Sequence, residues 1–71
     1  MDLYIRYMVM MDDKPITVGG KFHWGEQEAQ MVENNLIQKI EKDIQTERNP
    51  LKQTIYEVQL NSIEIVKVVF H

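Results

Sequence analysis

His23, Glu26 and Glu28 come nearest in this chain to a cluster of metal-ligating side chains. Zinc takes four ligands at compact spacing, and the only other imidazole is His71, at the opposite end. The spacing fits no compact zinc pattern, so no metal and no cofactor is expected. Cysteine is absent, which removes thiolate ligands, thiol nucleophiles and disulfides together. Ser62 is the only serine, and it lacks the strand–turn–helix setting that exposes a catalytic hydroxyl. Asp12 and Asp13 are neighbouring carboxylates, but next to Lys14-Pro15 they read as turn formers and not as an acid–base pair. Gly19-Gly20-Lys21 has glycines before a lysine, without the four-residue spacer or the following Ser or Thr of a phosphate loop. The residues with chemical potential therefore point away from an enzyme.

Charge gives a similar answer for nucleic acid. Eleven acidic residues face eight basic ones, for a net charge of −3. Phosphate contact is the main source of affinity for nucleic acid, and binders gather Lys and Arg on one face. Here the cations run the length of the chain, from Arg6 to Lys67. Tyr4 is the one aromatic placed on an open sheet face, where it could stack a base beside Arg6 and Lys21. A small single-strand-binding or transcription-linked protein is thus the alternative reading, and a disfavoured one.

The elements that would position these residues follow from hydrophobic period. Residues 3–11 alternate, with Leu3, Ile5, Tyr7, Val9 and Met11 on one face and Tyr4, Arg6, Met8 and Met10 on the other. After the Asp12–Pro15 turn, residues 16–24 read as a second strand, with Ile16, Val18, Phe22 and Trp24 in phase with the core and a bulge or a close backbone approach at Gly19-Gly20. Gly25 breaks the pattern, and a long helix starts near Glu26. Ala29, Val32, Leu36, Ile40 and Ile44 form its apolar stripe, and Asn49-Pro50 stops it. Tyr56, Val58 and Leu60 alternate again, which predicts a third strand from about Gln53. Asn61-Ser62 reads as a tight hairpin, with a bend in one long strand as the alternative, and residues 63–70 read as the last strand. The fold expected is α+β, in the order ββαββ: a small antiparallel sheet with one long amphipathic helix packed across one face. All 71 residues form a single domain.

A sheet covered by one helix needs only one apolar face. This one carries Tyr4, Met8 and Met10 on the other, joined by some of Ile55, Val66, Val68 and Phe70. Tyr4, Arg6, Met8, Met10 and Lys21 make up the candidate interaction surface. A contiguous uncovered apolar patch marks an interface, and methionine suits adaptable contacts. A core of this size supplies only about 3–5 kcal/mol unless something else supports it. The function expected is a non-catalytic protein-interaction module that meets a second copy, or another protein, through the open sheet face. No run approaches the ~20 apolar residues of a membrane span, and the N-terminal residues lack the order of a signal peptide, so a cytoplasmic setting is expected. Ile, Lys and Asn total 18 against 8 for Ala, Gly, Pro and Arg, a bias of low-GC genomes. The layout is generically similar to short accessory or regulatory proteins of low-GC bacteria and their prophages, a resemblance that transfers no functional residue.

Overall fold

In the computed structural model, which describes residues 3–71, β1 (Tyr4–Met11) is the central strand of a three-stranded antiparallel sheet. It is flanked by the two-residue β2 (Lys14–Pro15) and by β3 (Glu64–Phe70). Asp12 and Asp13 make the turn into β2 with φ of 54° and 61°. Left-handed backbone at both central residues suits the right-handed twist of a two-residue hairpin, and Asp is among the few residues that enter it at modest cost. β2 lies at an edge, where Pro15 loses no ladder hydrogen bond.

The long second strand expected over residues 16–24 is absent. Ile16 still donates to the Val9 carbonyl (2.8 Å), but Tyr7 exchanges both backbone hydrogen bonds with Trp24 (2.8 and 2.9 Å) instead of continuing the ladder to Val18. The intervening residues loop out as a small hairpin of their own, closed by the reciprocally bonded pair Val18 and Lys21. Gly19 and Gly20, at φ 58° and 77°, are its turn and not a bulge. Two adjacent glycines at positive φ are a hairpin signal in themselves.

Two helices follow where one was expected. α1 (Glu26–Thr46) begins at the Gly25 cap with Glu26 and Glu28 in its first turn, as the charge pattern anticipates. α2 (Pro50–Ser62) replaces the third strand, so the order is ββααβ. Asn49-Pro50 does end α1, but it also starts α2: the Asn49 side chain accepts from Leu51 N at 2.9 Å, and Pro50 occupies the first turn. Gln53, expected to open a strand, donates Nε2 to the carbonyls of Ile44 (3.2 Å) and Glu47 (2.6 Å), capping the orphan C-terminal end of α1 from the first turn of α2. Only helical backbone sets Gln53 one turn past Asn49, within reach of both.

The N-terminal half of α1 lies on the sheet, where Val9, Trp24 and Ala29 are buried with Tyr7, Ile16, Val32, Leu36, Ile63 and Ile65 around them. Ile40 is buried outside that cluster, where α2 folds back along α1. Sheet and α2 thus sit on successive halves of one helix, and the molecule is a rod of 53 × 18 × 18 Å. Its radius of gyration is 14.2 Å, against about 11 Å for a compact domain of this length.

Ser62, expected in a hairpin turn, ends α2. Its hydroxyl donates to the Gln59 carbonyl (2.7 Å) and accepts from Asp12 N (2.9 Å), pinning the β1–β2 turn to the helix end. Ser62→Ala removes both bonds. The expected loss is about 1 kcal/mol, read as a fall in Tm of roughly 4–8 °C for a domain of this size; an unchanged Tm would show that the turn holds without it.

Candidate interaction surface

β1 is central, so each of its side chains is committed to one face of the sheet. Tyr7 and Val9 turn toward α1, which leaves Tyr4, Arg6, Met8 and Met10 on the opposite face. The β1–β3 register sets Phe70 across from Tyr4, Val68 from Arg6, Val66 from Met8 and Glu64 from Met10. Directly paired residues share a face. The open face is therefore a band of Tyr, Phe, Met and Val crossed by one arginine, with Glu64 at its end. Tyr4 is 51% exposed; Arg6, Met8, Met10, Val66, Val68 and Phe70 are half-buried, and none of the band is buried. The sequence-derived positions Tyr4, Arg6, Met8 and Met10 come together here, whereas Lys21 does not lie on β1 or β3. It stands on the looped-out hairpin and reaches α1, with Nζ 3.6 Å from Glu28 Oε2. Such an exposed pair contributes at most about 1 kcal/mol.

Aromatic contacts extend one end of the band. Tyr4 and Phe70 stack at 4.9 Å with their planes 12° apart, and the Arg6 guanidinium lies 5.9 Å from the Tyr4 ring. His23 sits 5.2 Å from Phe70, and Phe22 meets His23 edge-on at 5.5 Å. Among the described residues His23 Nδ1 is buried without a hydrogen-bond partner, and the contacts this imidazole makes are with its aromatic neighbours. Phe22, expected in the core with Trp24, is instead exposed. The looped-out hairpin breaks the period-two phase that would have turned it inward. Leu3, Ile5 and Val18, also in phase with the core, are exposed too. α1 starts at Glu26, beside the Tyr7–Trp24 pair, and leaves the Leu3 end of β1 uncovered.

A second apolar surface escapes the strand reading altogether. On α2, Tyr56 and Leu60 are half-buried toward α1, whereas Leu51, Ile55 and Val58 are 70%, 49% and 60% exposed. Steps of four and three place those three on one helical stripe, on the side away from α1. The same spacing stood in the sequence, where the shorter alternation of Tyr56, Val58 and Leu60 masked it.

A groove of about 300 Å³ lies between residues 16–18 and α1, bounded on the helix by Val32, Asn35, Leu36 and Lys39. Lys39 is the one titratable side chain in its wall, and a lone ammonium offers no acid–base pair. Among the described residues no three His, Asp or Glu side chains converge on a point that could hold a metal ion. Among the same residues no helix is long and apolar enough to cross a membrane. The chain is a small α+β domain with a three-stranded antiparallel sheet and helices packed against it; no family model, no curated protein and no solved structure matches it.

Proposed function

We propose that this domain is a non-catalytic interaction module that self-associates through the open face of its sheet. The observation that carries the reading is the uncovered band of Tyr4, Met8, Met10, Val66, Val68 and Phe70, opposite the face that α1 covers. An antiparallel sheet that faces water on its second side alternates apolar with polar residues, and this one does not. A groove with a single titratable wall residue gives catalysis little support. The composition and the lack of cysteine suit a cytoplasmic accessory or regulatory protein of a low-GC bacterium or its prophage.

Light scattering on a size-exclusion column tests the reading. The wild type is expected to elute at twice the chain mass at tens of micromolar, and Met8→Asp/Met10→Asp at the chain mass with unchanged helical circular dichroism. Both positions lie on the face away from the core, so the double variant keeps the monomer fold while setting two carboxylates in the band. A wild type that stays monomeric at high micromolar concentration overturns the proposal.

Single-strand nucleic acid is the second reading, favoured by the Tyr4–Phe70 stack with Arg6 alongside. The same contacts count against it. Tyr4 gives one ring face to Phe70, Phe70 packs on His23, and Lys21 is paired with Glu28, so the platform left for a base is one ring with a single nearby cation. Salt-dependent binding of an oligonucleotide that weakens on Arg6→Gln would favour this reading over self-association.

A further inference from the structure

Val32 and Leu36, packed at the sheet core, and Ile40, buried beside α2, belong to one stripe of α1, so the open sheet face and the outer stripe of α2 are two unpartnered apolar surfaces that look away from the same side of that helix. We infer that each is the other's partner across a two-fold axis: α2 of one copy lies on the open sheet face of the second, and the reverse. The inference rests on the self-association proposed above and names the surface that meets the sheet.

Area points to a second copy as the occupant. The chain exposes 5485 Å², whereas a compact monomer of 8.5 kDa exposes roughly 4,700 Å² by the size scaling of globular proteins. The excess of roughly 800 Å², the surplus of an elongated chain, matches in size what each partner contributes to a standard stable interface. Only Val9, Trp24, Ala29 and Ile40 are buried hydrophobics among the described residues, while Tyr4, Leu51, Ile55 and Val58 all stand exposed.

Shape decides how the copies meet. Along the 53 Å rod the sheet lies on the N-terminal half of α1 and α2 on the C-terminal half, the two meeting where Asp12 N donates to Ser62. A two-fold axis across the middle of the rod lays each sheet over the partner's α2, covering both surfaces in one operation with an isologous contact. The lengths agree: α2, with 13 residues, spans roughly 20 Å, and β1, with 8 residues, spans roughly 26 Å. The chemistry agrees as well. The stripe of Leu51, Ile55 and Val58 carries no charge, so it sets no second cation against Arg6, as a copy of the sheet face would. Each sheet would then be covered by its own α1 on one face and by a borrowed α2 on the other, the layering of a helix–sheet–helix domain.

The chain has no cysteine, so single cysteines report contacts directly. Met8→Cys and Val66→Cys mark the sheet face, and Leu51→Cys and Ile55→Cys mark the stripe. Each is made in separate chains, so that every cross-link is intermolecular. The variants are mixed in pairs, treated with a short bis-maleimide and mapped by peptide mass spectrometry. Sheet-with-stripe products are expected to exceed like-with-like products at least tenfold. In parallel, Ile55→Asp is expected to run as a folded monomer, because the substituted side chain stands outside the monomer core. A dimeric wild type giving only sheet-with-sheet or stripe-with-stripe products overturns this pairing and leaves self-association standing. A dimeric wild type giving no product in any combination also overturns it. A monomeric wild type overturns both.

Discussion

Trp24→Ala is expected to abolish cooperative unfolding. Trp24 is 4% exposed and forms the buried cluster with Val9 and Ala29. Its backbone also closes the looped-out hairpin by exchanging two hydrogen bonds with Tyr7. Truncating a buried aromatic to alanine costs about 3–5 kcal/mol. A domain of this length has only about 3–5 kcal/mol to lose, and four buried hydrophobics place this chain toward the lower end of that range. Once Trp24 no longer fills the space between β1 and α1, the segment from Ile16 to Gly25 is held by the Tyr7–Trp24 backbone pair, the Ile16–Val9 hydrogen bond, an exposed ion pair, the His23–Phe70 contact and partly buried Ile16, none of which refills the core. The measurement is urea unfolding followed by circular dichroism, carried out in the Met8→Asp/Met10→Asp background so that association adds nothing. Trp24→Phe, which keeps most of the buried ring, is expected to retain a sigmoidal transition at lower urea. A Trp24→Ala protein that unfolds cooperatively within about 1 kcal/mol of its parent would show that the core lies elsewhere.

The parts of the fold legible in the sequence were those where pattern and length agreed. β1 alternates through eight residues, and α1 repeats its apolar stripe through 21 residues; no competing period fits either. The last strand was legible for the same reason. Residues 53–60 were not, because Tyr56, Val58 and Leu60 satisfy period two while Leu51, Ile55 and Val58 satisfy 3.6, and a short apolar stretch cannot choose between them. Asn49-Pro50 could have decided it. Read only as a stop for α1, it concealed an N-cap and a first-turn proline, which are start signals. The second strand failed differently. Gly19-Gly20 marks a special backbone either way, but a paired glycine turn needs short strands on both sides, and the alternation of Ile16, Val18, Phe22 and Trp24 spans it as one continuous strand. As for the surface, the residues on β1 could be assigned from alternation alone, since a centre strand must present both faces. The stripe on α2 became visible only when the helix did.

Dilution is expected to lower the melting temperature of the wild type by roughly 10 °C for each hundredfold, if association is part of folding. The reasoning is mass action. When two chains unfold from one folded dimer, a hundredfold fall in concentration removes RT ln 100, about 2.7 kcal/mol, from the stability of the pair. The unfolding entropy is about 2.1 cal/mol/K per residue; summed over two chains of 71 residues it is about 0.3 kcal/mol/K, and the ratio gives the shift. A monomeric domain shows no shift at any concentration, so the experiment separates the two cases by an amount far outside error. Its logic also reaches the core. On the proposed self-association, apolar burial that one chain lacks is supplied by the partner, and stability then depends on how much partner is present. Met8→Asp/Met10→Asp should therefore do two things at once: lower the melting temperature at high concentration, and flatten its dependence on concentration to zero. A variant that melts lower but keeps the wild-type slope would mean that the two methionines stabilise the monomer and that the dimer forms elsewhere.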